Sequence, residues 1–103
     1  MLLYHGCTQA VAEAIVERGV LPLLSKPQGS NHIAGFYMTD DIEVAKHYGM
    51  AIVAIEFEGD IPALVRPVEH LIDGEIKAIG MEYVLGVAGI AHMFNNLDDM
   101  YII

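Results

Sequence analysis

The sequence predicts a single α+β domain over residues 1–103, and three observations carry that expectation. The length of 103 residues is that of one domain, with little room for a second core. Apolar residues make up 54% of the chain and charged ones 18%, a globular balance and not a disordered one. Strand-like and helix-like stretches follow one another without the regular alternation of a parallel α/β fold. No internal repeat or low-complexity tract is present.

Leu2-Leu3-Tyr4-His5 reads as a first short strand. Thr8 can cap a helix through Arg18, with Val11, Ala14 and Ile15 on one face and Gly19 as its stop. Residues 20–33 hold two prolines, a Gly-Ser-Asn cluster and no periodicity, so they are expected to form a functional or mobile loop. Gly35-Phe36-Tyr37-Met38-Thr39 is a second short strand. Asp40 and Glu43 form a candidate capping box for a helix through Tyr48, closed by Gly49. Ala51–Phe57 has the apolar, β-branched composition of a central strand. Gly59-Asp60 turns the chain, and Ala63–Arg66 is another brief strand. Residues 68–85 are expected to be mainly helical, in two pieces broken at Gly74 and Gly80. Ile90–Phe94 and Met100–Ile103 are read as strands, joined by the turn-rich segment 95–99.

Composition excludes several function classes. Fourteen acidic residues against five basic ones give a formal charge of −9. That field repels phosphate backbones, so no direct nucleic-acid partner is expected; a basic protein is the natural counterpart, and solubility of a small apolar domain explains the charge equally well. The single cysteine, Cys7, cannot form an internal disulfide or make a zinc site by itself. The five histidines show no His-x-x-x-His or Glu-x-x-His spacing, so no metal is expected. No apolar run approaches the roughly 20 residues that span a bilayer. The segment Met1–His5 lacks the basic start and apolar stretch of a signal peptide. The expectation is a soluble cytoplasmic protein with no membrane partner.

Three groups of residues stand out. His5-Gly6 ends the first strand. Gly35-Phe36-Tyr37-Met38-Thr39-Asp40 precedes a helix ending Ala45-Lys46-His47-Tyr48. Asp98-Asp99 precede the terminal strand. Taken singly, each has an ordinary structural explanation: a hydrogen-bonded histidine, a core tyrosine, a solvated turn. In this order they resemble the NAD-binding half of the ADP-ribosyltransferases, and most closely the His-Tyr-Glu branch of poly(ADP-ribose) polymerases and diphtheria toxin. That branch carries a His-Gly-Ser/Thr strand, then Gly-hydrophobic-Tyr, and a second tyrosine one short helix later. Here Tyr37 and Tyr48 are eleven positions apart, as in that pattern. The resemblance covers about half of the chain well and the C-terminal half in outline. It implies a small ADP-ribosyltransferase-like split β-sheet with short helices.

The resemblance also implies roles. His5 would hydrogen-bond the ribose hydroxyls on the nicotinamide side of NAD. The Gly6 backbone would pair with the carboxamide, a close approach that leaves no room for a side chain. Tyr37 and Tyr48 would sandwich the nicotinamide ring, an arrangement that suits a cation. Thr39 falls within the cofactor-binding strand, and Lys26 in the long loop would contact a phosphate. Breaking the bond between ribose and nicotinamide builds positive charge on the sugar, which a carboxylate favours. In the family that carboxylate is a glutamate at the start of a strand near the C-terminus. No glutamate lies near the last strand, so Asp99 or Asp98 would replace it with a shorter side chain. Asp99 is preferred because it directly precedes Met100, with Asp98 nearly as good, and Glu82 is a third, less favoured candidate because it falls in the stretch expected to be helical. A second departure is Ala45, where many relatives carry a serine that bonds the nicotinamide.

Three function classes follow. The first is an NAD-dependent mono-ADP-ribosyltransferase, a glycosyltransferase acting on a protein; the chain ends with its terminal strand, so single-unit transfer is expected and not chain elongation. The second is an inactive module on the same fold that binds NAD or a partner as regulator or inhibitor. The third is a structural subunit that pairs through its apolar C-terminal half. By fold-level analogy, small acidic proteins of this kind fit phage–bacterium conflict, as toxins or anti-defence factors.

Overall fold

A computed structural model of the chain describes residues 1–20 and 35–103. Six strands and three helices are present among them: β1 (Leu2–Cys7), α1 (Gln9–Arg18), β2 (Phe36–Thr39), α2 (Ile42–Ala45), β3 (Ala51–Phe57), β4 (Leu64–Ile72), β5 (Glu75–Leu85), α3 (Val87–Asn95) and β6 (Leu97–Ile102). The strands form one sheet in the order β4-β5-β2-β1-β3-β6, with every neighbouring pair antiparallel. The architecture is α+β, as the sequence predicts.

Alternation along each strand sorts the side chains onto two faces. Leu3 and Cys7 of β1, Phe36 and Met38 of β2, and Val53, Ile55 and Phe57 of β3 point to one face. There they form the core with Ala12 and Ile15 of α1 and Ile90 and Met93 of α3. Thr8 caps α1 by accepting from the Val11 N–H at 3.3 Å, and Gly19 ends it at φ 77° with its N–H bonded to the Ile15 carbonyl at 2.7 Å. The buried stripe of α1 is Ala12 and Ile15; Val11 and Ala14, expected to share it, are exposed. The short helix α2 lies on the opposite face of the sheet. Its N-cap is Asp41, one residue later than the expected Asp40. It ends at Ala45 and not at Tyr48, because His47 and Tyr48 bond the carbonyls three residues back and tighten the chain into a turn.

Two other expectations are overturned. Residues 68–85 are not helical: β4 and β5 form a long hairpin over 64–85. Asp73 (φ 52°) and Gly74 (φ 81°) both adopt left-handed conformations, the requirement of a two-residue type I′ turn, so what looked like a helix break is the hairpin's tip. Ile90–Phe94 is not a strand but lies in α3, because Ile90 and Met93, three positions apart, both reach the core only on a helix. The terminal strand consequently begins at Leu97, and Asp98 and Asp99 lie inside β6, not in a turn before it. Among the described residues, no helix is long and apolar enough to cross a membrane.

Candidate functional site

The sheet is nearly divided between β1 and β2. β1 pairs with β3 through six consecutive residues and β2 with β5 through four, yet β1 and β2 share only the pair Tyr4↔Thr39. Beyond that pair, His5-Gly6-Cys7 and Phe36-Tyr37-Met38 run on opposite sides of the division. The His5 ring crosses it. Its Nδ1 donates to the Tyr37 carbonyl at 2.6 Å, and the ring stacks on Phe36 at 4.2 Å and 25°. A carbonyl can only accept, so the proton sits on Nδ1 and a neutral imidazole presents Nε2 as an acceptor. Burial pushes the His5 pKa down, and the bond to the carbonyl partly opposes it.

Helix α2 bridges the division on the face away from the main core. On the β1 side, a Cβ at Gly6 would overlap the Ala45 carbonyl oxygen and one at Gly49 would overlap the Cys7 backbone, so both glycines let α2 and its following turn lie against the strand. On the β5 side, Val44 packs into the space over Gly80, where an added Cβ would lie 2.6 Å from Val44 Cγ2. His47 meets His70 of β4, with ring centroids 4.8 Å apart. The chain is thereby delivered at Tyr48 over β1, where a Cβ at Gly6 would lie 3.1 Å from Tyr48 Cβ, and the Tyr48 side chain extends to the β2–β5 half of the sheet.

Tyr48 reaches a buried carboxylate there. Glu82 of β5 is only 5% exposed and lies in register with Thr39 of β2 on one side and Arg66 of β4 on the other. The Tyr48 hydroxyl donates to Glu82 Oε2 at 3.2 Å, and Arg66 Nε donates to Oε1 at 2.5 Å. The Arg66 guanidinium also lies over the Tyr37 ring, 5.5 Å from its centroid. Partial burial, and then the adjacent Glu82 charge, push the Tyr48 phenol up to about 12. Tyr37, Tyr48, Arg66 and Glu82 therefore form one cluster on one face, at the edge of the division.

The structure brings His5, Gly6, Tyr37 and Tyr48 to the two sides of this division. His5 shares the face of Leu3 and Cys7, opposite that of Tyr37, so one ligand can touch both only by entering between β1 and β2. Thr39 is buried, and its hydroxyl serves the backbone: it donates to the Met81 carbonyl at 2.7 Å and accepts from the Asp41 N–H at 3.2 Å. Asp98 and Asp99 are not brought to the cluster. They lie exposed on the edge strand β6, separated from β2 by β1 and β3, and three strand spacings are about 14 Å. Lys26 lies outside the described residues. Cys7 is buried, which pushes its thiol pKa up and makes it a poor nucleophile. Among the described residues, no group of three or more His, Cys, Asp and Glu side chains could hold a metal.

Sequence reasoning gave no role to Arg66 and ranked Glu82 below Asp98 and Asp99. The signal that could have found them is Asp73-Gly74, a dipeptide that marks a hairpin and makes β4 and β5 partners. A second concavity of about 290 Å³, largely apolar, lies between the end of α1 and α3, lined by Arg18, Val20, Ile90 and Phe94 among others. No protein-family model matches the chain, and no curated protein and no solved structure is detectably similar to it.

Proposed function

We propose that this domain has the ADP-ribosyltransferase fold and binds the nicotinamide end of NAD between β1 and β2, as a transferase that passes a single ADP-ribose to a protein. The observation that carries the reading is the near-divided sheet, with His5 and Tyr37 on its two sides and Tyr48 hydrogen-bonded to a buried glutamate. The resemblance of His5-Gly6, Tyr37 and Tyr48 to the His-Tyr-Glu branch supports it, and Glu82 supplies the glutamate that the end of the chain lacks.

NAD supplies an ADP-ribosyl group on a cationic leaving group. His5 Nε2 is free to accept from a ribose hydroxyl, because Nδ1 is held by the Tyr37 carbonyl. The Tyr37 and Tyr48 rings offer aromatic faces to the cationic nicotinamide. As the bond between ribose and nicotinamide breaks, nicotinamide leaves with the electron pair and positive charge grows on the sugar. The Glu82 carboxylate then stabilises that charge and receives the proton of the attacking group. In this reading Glu82 takes the role expected of Asp98 or Asp99.

A second reading keeps the fold and drops the chemistry: a module that holds NAD or a partner protein. Its specific support is that both oxygens of Glu82 are already engaged, by Arg66 and Tyr48, and that Ala45 is fully buried where many ADP-ribosyltransferases carry a nicotinamide-bonding serine. One set of measurements separates the two. NAD binding is followed by calorimetry or ligand-detected NMR, and nicotinamide release by chromatography. The transferase reading expects binding that is lost in Tyr37→Ala. It also expects release that falls on the order of a hundredfold in Glu82→Gln and stays within about twofold in Asp99→Asn. Binding without release supports the module, and no binding at millimolar NAD retires the NAD reading.

A further inference from the structure

Two histidines outside the site meet on the same face of the sheet. His47 stands in the turn that follows α2, and His70 stands in β4, on the face that Arg66 shares. They lie far apart in sequence, and only the fold brings them together. Packed backbone holds each of them. Close approaches at Gly6 and Gly49 seat the turn against β1, and His70 is in register with Lys77 of β5. The ring centroids are 4.8 Å apart and the planes are inclined by 47°. Among the described residues, neither ring has a hydrogen-bond partner, so their nitrogens are not committed to the fold.

That separation suits a shared metal ion. Zinc binds an imidazole nitrogen at about 2.0–2.1 Å, which puts each ring centre about 3.2 Å from the metal. Two rings on one ion then have centres about 4.5 Å apart at a right angle and about 5.2 Å apart at the tetrahedral angle. The observed 4.8 Å falls between these values. Imidazole suits zinc, copper and nickel, and the exposed position of His47 lets water complete the coordination. The charge of −9 draws a dication to the chain. Locally, Lys46 is paired with Glu43 at 2.9 Å, and exposed Lys77 opposes the ion through solvent.

We propose that His47 and His70 form a two-histidine chelate for a divalent transition metal of the zinc, nickel and copper class. The bound ion ties the turn after α2 to β4, and so restrains Tyr48, the next residue in the chain. The site goes beyond the NAD reading and does not depend on it.

The test titrates Zn²⁺ into the whole chain, free of any affinity tag. Binding is followed by calorimetry and the histidine ring signals by NMR. One ion per chain is expected, with shifts at the His47 and His70 rings and none at His92 of α3. Loss of a group that merely supports a ligand costs about 10–100-fold in affinity, so His47→Gln and His70→Gln should each lose at least about tenfold. His92→Gln should match the wild type. Zinc should also raise the thermal midpoint of the wild type and leave both variants unchanged. If His70→Gln does not fold, His47→Gln, at an exposed position, carries the test. No binding at millimolar zinc, affinity retained in His47→Gln, or shifts at only one of the two rings overturns the proposal. NAD enters none of these measurements, so their outcome stands whether or not the chain binds the dinucleotide.

Discussion

The His5 imidazole gives one nitrogen to the Tyr37 carbonyl and stacks against Phe36, so its position across the division is set before any ligand arrives. Its burial has a consequence for pH. The folded pKa lies below the unfolded value of about 6.5, so the unfolded chain takes up a proton that the folded chain refuses. This part of the stability is fully present above about pH 6.5 and is lost as pH falls from there through the folded value. Thermal midpoints measured from pH 8 to pH 5 should fall less steeply in His5→Gln than in wild type; equal slopes would remove His5 as the cause. In the sequence, His5, Gly6, Tyr37 and Tyr48 stand out through their order and its resemblance to the His-Tyr-Glu pattern, and the structure places them about the division between β1 and β2. The need for Gly6 was legible only as a close approach. The structure shows that what approaches is the Ala45 carbonyl of α2.

At the scale of elements, the β4–β5 hairpin decides the most. Its turn depends on Gly74 at φ 81°, where an added Cβ meets nothing within 4 Å, so the cost of a side chain there is conformational and not steric. Gly74→Ala should destabilise the domain by about 1 kcal/mol. For a domain of this size that is a fall of roughly 4–8 °C in thermal midpoint. Asp73→Asn should be nearly silent, since asparagine also tolerates the left-handed region. Calorimetry on both variants checks the pair, and an equal loss in both would contradict the turn assignment. Local composition misled here for an identifiable reason. Residues 71–78 are all exposed, so the distal hairpin lacks the half-buried alternation by which strands announce themselves. The helix α3 was missed for the converse reason: a short apolar run fits a buried strand as well as a helix until the core claims one period.

Over the whole molecule, the charge of −9 acts on the compact state as self-repulsion. Raising sodium chloride from about 10 mM to 150 mM shortens the screening length from about 30 Å to 8 Å, so the thermal midpoint should rise. A fall would show that attractive pairs such as Lys46–Glu43 outweigh the repulsion. The sheet also places chemistry by distance. Asp98 and Asp99 stand at its β6 edge, with Asp99 directly opposite Glu56, while the cluster around Glu82 lies in the other half. By itself the sequence determined the α+β class, the first strand and helix with their caps, and the second and central strands. Those features rest on local chemistry: capping side chains, glycines and β-branched runs. Which carboxylate meets the tyrosines was decided by tertiary structure alone. Counted outward from Ile72↔Glu75, simple pairing would set Arg66 opposite Met81. The bulge between Val68 and Glu69 adds one residue to β5, so Arg66 meets Glu82 instead. A one-residue slip turns every side chain beyond it to the other face of the sheet, and packing against the neighbouring elements, such as Val44 over Gly80, is what selects the register.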